Sequence, residues 1–403
     1  MVDLLVGTSD GLFALAENGI WSVNTHYLKG HDITQIARAG DAQTFLISLR
    51  GGGLARLNAE TGALEKLGSG VLPERIRCVA VAPTECNTIF VGTEPVGMFV
   101  SRDGGGTWQE CAEVKRMAAR LNWGYPVPSV PPHIRDIVID RENPNRVFAA
   151  VQVGAVIISE DGGITWRDTA GHLDADVHSV IQDPADPTVL YACAGGGGAL
   201  TMATLDQYPP PLPEGRPIYR SSDSGRTWEC VSLDFDRTYG VSMRVHPRDS
   251  ALLLAAVARG IPPFWSKRPE RADAVVVISS DRGKTWSRST KGLPSHFALM
   301  VEAIEIGPGP RHRAFIGTGG EGMKLAGAAQ GEVYVSDDVK QGWRRVPLDF
   351  PSIAALAAPW CAQLPAPPKA RLERWHCRQA CVRSGRFRKR LGEPRYFRGS
   401  RHL

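Results

Sequence analysis

Nothing in these 403 residues approaches the run of roughly 18 apolar residues that spans a bilayer, which excludes a membrane-spanning helix. The opening Met1-Val2-Asp3-Leu4 lacks the basic stretch of a secretory signal and argues against export by that route. Cysteine is sparse: eight residues, none in a C-x-x-C pair, too few for a disulfide scaffold at this length. Reduced thiols in a cytoplasmic protein are the expectation. Charge is also thin, at 22% of residues, and unevenly placed. Residues 361–403 hold 12 Lys and Arg against two Glu, so the net +5 of the whole chain leaves the body at −5. A mildly acidic body gives no support to a nucleic-acid groove, which needs clustered Lys and Arg.

Turn formers and core formers are abundant. The chain has 43 Gly and 29 Pro, and 43% of it is hydrophobic, as expected of a turn-rich protein with an ample core. The strongest signal is an eight-residue box, S-x-D-x-G-x-T-W, complete at Ser101–Trp108, Ser159–Trp166, Ser221–Trp228 and Ser279–Trp286. A decayed copy occupies Ser336–Trp343. Successive boxes begin 58, 62, 58 and 57 residues apart, and near-constant spacing is the signature of stacked supersecondary units.

Each residue type in the box has a physical task. Asp103, Asp161, Asp223 and Asp281 can accept backbone N–H bonds inside a tight turn, with Ser101, Ser159, Ser221 and Ser279 adding another acceptor. Gly105, Gly163, Gly225 and Gly283 permit positive φ. Trp108, Trp166, Trp228 and Trp286 bury a large ring between neighbouring sheets, each indole N–H finding an acceptor. Upstream of every box lie three short β-rich runs bounded by Gly, Pro, Asn and Asp, and residues after the Trp supply a fourth, so each unit reads as a four-stranded meander.

This box resembles that of the bacterial neuraminidase repeat, or Asp-box, β-propellers, a group that includes sialidases, other glycosidases, sortilin-type receptors and photosystem assembly factors. The resemblance covers residues 1–358 and implies that the boxes lie at the blade periphery, away from the active face. It is specific for fold and poor for function.

Two weaker units precede the first complete box. Leu4–Thr8, Gly11–Leu15 and Ile20–Val23 read as second, third and fourth strands without a first. Ile33–Ala39, Thr44–Ser48 and Gly53–Leu57 form the next unit, and Ser352–Ala357 is a first strand with nothing after it. The orphan and the incomplete unit complement one another. The expected fold is therefore all-β: a seven-bladed propeller of four-stranded blades over residues 1–358, closed by the C-terminal strand pairing with the N-terminal sheet. Residues 359–403, rich in Pro and Arg, form a separate tail: either a disordered basic arm able to contact nucleic acid, or a frameshifted stretch foreign to the fold.

If the first strands line the central channel, one face gathers the long insertions at Cys111–Pro132, Ala194–Pro217, Arg259–Asp273 and Thr318–Gln330. Arg75, His133, His178, His296, Trp123 and Trp265 are expected to meet a ligand there. A sialidase-like site would draw on Arg77, Arg135, Tyr239 and Glu302, and a two-carboxylate glycosidase on pairs among Asp174, Asp176, Asp234, Asp236, Glu302 and Glu321. The spacing singles out no catalytic pair, and no metal or cofactor is expected. The reading favoured is a module that binds a small molecule, glycan or protein segment through the channel face, the alternative being a glycoside hydrolase acting at the same face.

Overall fold

The computed structural model describes residues 2–124, 130–169, 171–195, 216–309, 311–320 and 330–359. Seven four-stranded antiparallel sheets form a β-propeller. The inner strands are Ile353–Ala357, Asp32–Arg38, Ile76–Val81, His133–Ile139, Val177–Gln182, Tyr239–His246 and Met300–Ile306, taken as blades 1 to 7. In blade 1 the inner strand comes from the far end of the chain, and Leu5 pairs with Ala357, Val6 with Leu356 and Gly7 with Ala355. The expected closure and blade count are both observed. Apart from residue 359, the expected tail lies outside the described residues.

The strands read as continuous apolar runs because each sheet buries both faces. The buried apolar side chains fall into seven clusters, one at each seam between adjacent blades. In blade 2, Phe45, Ile47 and Leu49 enter the seam with blade 1, while the alternate residue Leu46 enters the seam with blade 3. That alternation is the two-residue period of a strand. The box tryptophans Trp166, Trp228 and Trp286 each fill the seam towards the preceding blade, with Trp108 partly buried in the equivalent place.

Close approach at the seams explains a Gly-Thr pair repeated at Gly7-Thr8, Gly92-Thr93 and Gly317-Thr318 in three second strands. A Cβ on Gly92 would lie 2.5 Å from Ile134 Cβ, and one on Gly7 or Gly317 within 2.7 Å of Ile33 or Ile353 Cγ2. The paired threonines tie down the turns that follow, as where Thr93 Oγ1 donates to Pro95 O at 2.7 Å.

The boxes occupy the turns between third and fourth strands, at the end of each sheet opposite the channel-face insertions. Ser101 Oγ donates to Asp103 Oδ1 at 2.8 Å and accepts the Gly105 N–H at 2.7 Å. Asp103 accepts the Thr107 N–H at 2.9 Å and its hydroxyl at 2.7 Å. The glycines have φ of 98°, 92°, 75° and 74° at Gly105, Gly163, Gly225 and Gly283. Three indoles donate to the carbonyl of their own box glycine at 3.1 Å, but Trp228 Nε1 has no partner among the described residues, contrary to expectation. In the decayed box Trp343 is likewise buried in the seam towards the preceding blade, but its indole N–H donates to Ser289 Oγ of blade 6 at 3.0 Å.

Two predictions follow from this packing. Gly92→Ala should destabilise the fold by about 1–3 kcal/mol through overpacking against Ile134, read as a lower urea midpoint at unchanged slope. The second concerns acid. Hydrogen bonds from the Thr107 N–H and hydroxyl and from Ser101 hold Asp103 down at about 2. In Asp223 burial pushes upward, but Thr227 and Ser221 outweigh it, again to about 2. Asp161 and Asp281 are lowered in the same way. These carboxylates therefore contribute stability that is complete above an unfolded pKa of about 3.9 and is lost as pH falls towards about 2. The stability gap between wild type and a variant with all four changed to Asn should be widest above pH 4 and should narrow down to pH 2. A gap independent of pH would remove the boxes from the acid limb.

Candidate functional site

A shared irregularity builds the channel. In every inner strand the pairing with the second strand skips near the channel-face end: between Ile33 and Gln35, Ile76 and Cys78, Ile134 and Asp136, Val177 and Ser179, Gly240 and Met243, and Val301 and Ala303. In blade 1 the skip falls between Ile353 and Ala355. A β-bulge inserts an unpaired residue and re-aims its side chain. The skipped residues are Thr34, Arg77, Arg135, His178, Val241 with Ser242, Glu302 and Ala354, and all of them line the channel cavity. Four of the residues singled out in the sequence, Arg77, Arg135, His178 and Glu302, thus occupy equivalent positions around one ring.

Charge on this ring is paired across the channel and around its mouth. Arg135 Nη2 of blade 4 lies 3.2 Å from Glu302 Oε2 of blade 7, with both side chains largely buried. Glu94, buried in the turn between the second and third strands of blade 3, draws three arginines. Arg75 donates to it, Arg77 Nη1 lies 3.5 Å away and Arg50 Nε 3.8 Å. Arg50 also reaches Asp32 at 3.4 Å.

His178 holds the other side. Its Nδ1 lies 2.7 Å from Gly240 O, a pure acceptor, so that nitrogen carries a proton. Its Nε2 faces the Tyr239 hydroxyl at 3.2 Å and Asp176 Oδ1 at 3.2 Å. A neutral ring accepts from Tyr239 there, and a charged ring donates to Asp176. Burial pushes the Asp176 carboxyl up, but His178, Arg135 and Gln152 together hold it below the usual range.

Below the ring, Asp136 is built into the wall. Its Oδ1 accepts from Gln35 Nε2 at 3.1 Å and the Ile137 N–H at 3.0 Å, and its Oδ2 from the Val180 N–H at 3.2 Å. Gln35 Oε1 in turn accepts the Val79 N–H at 2.7 Å. One side-chain relay thereby links blades 2, 3, 4 and 5. Burial raises the Asp136 pKa, against the pull of Arg244 and the three hydrogen bonds. The cavity is about 70 Å³, room for a few waters or one small ion, and well below the roughly 300 Å³ at which pockets for small organic ligands begin.

Other expected residues fall elsewhere. Trp265 is 1% exposed, its indole N–H donating to Arg259 O at 3.0 Å and its ring edge-on to Tyr239, so it is core and has no face for a ligand. Tyr239 is itself buried between Trp265 and His178, while Glu302 is turned to Arg135, so these two do not meet as a sialidase-like pair. His133 is buried, with Nδ1 3.0 Å from Pro131 O. His296 stays half-buried in the loop before blade 7, against Ser295 rather than beside His178. Trp123 packs over Gly154 at the turn of blade 4. Arg75, half exposed, stands at the rim. Asp236 pairs with Arg259 on the surface, and Asp174 accepts the Asp176 N–H within its own turn. Glu321 and most of the 194–217 insertion lie outside the described residues. Among the described residues no group of three or more His, Cys, Asp or Glu side chains gathers as metal ligands.

The sequence reading missed Glu94, Arg50, Asp136, Ser242 and Arg244. A usable signal existed for Ser242 alone: it directly follows Val241, as the other bulge residues follow an Ile or Val in Ile76-Arg77, Ile134-Arg135, Val177-His178 and Val301-Glu302.

Comparison with known proteins places this geometry among propellers. Residues 154–299 match the sortilin-Vps10 family model (sortilin, neurotensin receptor 3). Xyloglucanase Xgh74A of Acetivibrio thermocellus is 27% identical over 165 residues, which is 38% of this chain and 17% of that protein. The solved GH74 xyloglucanase from Xanthomonas campestris superposes with a TM-score of 0.59 at 18% identity, over 85% of this chain and 52% of that one. The GH74 enzyme of Niastella koreensis gives 0.56 at 16% identity, over 86% and 47%. The chain thus spans about half the length of these solved enzymes and a smaller part of the sequence relative. The structural likenesses establish the fold.

The Arg135–Glu302 pair can be tested directly. Arg135→Met or Glu302→Gln alone should cost about 3 kcal/mol, because each leaves a largely buried partner charge behind, and the double variant should cost clearly less than the sum. Additive losses in a denaturant-based double-mutant cycle would mean that the two groups are not coupled.

Proposed function

We propose that this chain, a seven-bladed propeller of the Asp-box repeat type, is a non-catalytic module that binds a glycan or a protein segment at its channel face. The observation that carries this reading is the commitment of the mouth carboxylates to cations: Glu94 to Arg75, Arg77 and Arg50, Glu302 to Arg135, and Asp176 to His178. Hydrolysis of a glycoside needs one carboxyl kept protonated beside a second that is ionised, and cation pairing opposes the protonated state. A rim of arginines and carboxylates over a narrow channel suits recognition of polar groups by hydrogen bonding. Five described cysteines are free thiols, which supports a cytoplasmic setting as part of the same proposal.

A glycoside hydrolase is the second reading. It is favoured by the similarity to a xyloglucanase and by two channel carboxyls shifted in opposite directions, Asp136 upward and Asp176 downward. Such divergence is the pattern by which acid and base roles separate.

One experiment separates the two. The full chain is titrated calorimetrically with neutral and acidic oligosaccharides, xyloglucan fragments among them, and product release is followed on xyloglucan and fluorogenic glycosides. Saturable binding without product, weakened at least about tenfold in Arg135→Ala, is the expected result. Product release that disappears in Asp136→Asn would replace the module with the hydrolase.

A further inference from the structure

The channel cavity collects three guanidinium groups, Arg77 of blade 3, Arg135 of blade 4 and Arg244 of blade 6, together with the His178 imidazole. Two carboxylates line it. Both are engaged: Glu302 with Arg135, and Asp136 with Gln35 and two backbone N–H groups in the wall. Arg244 is the exception. Its Nη1 donates to Met243 O at 2.8 Å, and none of the described carboxylates comes within ion-pair distance of it. Its charge pulls on the Asp136 carboxyl without an ion-pair contact between them. A guanidinium offers five N–H donors in a fixed plane, and that of Arg244, half-buried in the cavity wall, has no described carboxylate in contact to take them up.

We propose that the channel binds a small free oxyanion of bicarbonate, nitrate or phosphate size, seated on Arg244 and flanked by Arg77 and Arg135. Size and sign both point to it. The narrow space of about 70 Å³ is the size for an ion of four or five heavy atoms. An oxyanion offers several acceptors to planar donors, the match that makes arginine the usual partner of carboxylate and phosphate groups. Ser242, at the bulge position of blade 6, has its hydroxyl committed to Val301 O at 2.8 Å, so recognition falls to the guanidinium groups. The site goes beyond the binding of a glycan or protein segment at the face and stands whether or not that reading holds. Bound there, the ion would bridge blades 3, 4 and 6 across the open centre of the ring, where no backbone hydrogen bonds run between inner strands.

The test uses the full chain at fixed ionic strength, with sodium bicarbonate, nitrate or phosphate as probe, thermal unfolding as one readout and calorimetric titration as the other. Expected are a saturable rise in melting temperature with at least one of these ions, and an affinity at least about tenfold weaker in Arg244→Met. Arg244→Lys, which keeps the charge and loses the fork, should retain part of the binding. Circular dichroism of each variant in the absence of ion separates loss of the site from loss of the fold. A rise linear in concentration and equal in wild type and Arg244→Met would be a general salt effect and would overturn the proposal. Equally tight binding of citrate, too large for the cavity, would move the ion to the open mouth and overturn it as well. Glycan titration in the presence and absence of the ion reads the face separately, so failure of one site is distinguishable from failure of the other.

Discussion

A four-stranded sheet that is apolar on both faces cannot persist alone in water. Each blade here has side chains such as Phe45 on one face and Leu46 on the other, and both must be covered. Stacking covers both faces of every interior sheet but leaves two outer faces on any open array, so the stack is stable only as a closed ring. Closure in turn requires that blades be wedge-shaped in cross-section, narrow at the centre. The second-strand glycines meet that need, since Gly7, Gly92 and Gly317 let the isoleucine of a neighbouring inner strand approach closer than any side chain would allow. The tryptophans fill the wide outer part of the same seams.

Near the axis the constraint is different. Inner strands of adjacent blades face one another without a shared backbone ladder, so side chains supply the links. Thr34 donates to Ile76 O, Gln35 joins Val79 and Asp136, Asp136 accepts from Val180, His178 holds Gly240 O and Ser242 holds Val301 O. The bulge in each inner strand turns one extra residue, or two in blade 6, towards the axis, released from the pleated pattern of the sheet. Chemistry can therefore vary at Thr34, Arg77, Arg135, His178 and Glu302 while the seams on either side remain apolar. A single local deformation, repeated seven times, provides the polar interior of the channel.

The fold was legible because its signals are local. The box fixes a turn with four residues, its spacing counts the blades, and even the incomplete first unit and the orphan Ser352–Ala357 could be matched by strand content alone. The candidate site was legible in part. Arg77, Arg135, His178 and Glu302 were drawn from positions at the start of first strands, and the structure brings them to one ring. Their partners were not legible, since Glu94 sits in a second-to-third-strand turn and Arg244 two residues beyond its bulge, and pairing across a ring depends on angular position that sequence spacing does not encode. Trp265 shows the opposite failure. A tryptophan in a long insertion reads as exposed, yet that insertion folds back so that its ring packs on Tyr239. Trp228 and Trp343 show that the box motif fixes where an indole goes without fixing what its N–H meets.

The strand that completes blade 1 has a kinetic consequence. Hairpins within blades join neighbours in sequence and form without long loops to close, whereas the pairing of Leu5 with Ala357 brings together residues separated by nearly the whole chain. Blades can accumulate one after another while that last ladder waits for both ends. The assembled ring therefore has a clasp, a single place where its cohesion was acquired late. Because that clasp is an edge ladder inside blade 1, backed by the Leu4, Val6 and Leu356 seam, parting the ring there breaks hydrogen bonds within a sheet as well as apolar packing, and the two ends of the chain hold the ring shut.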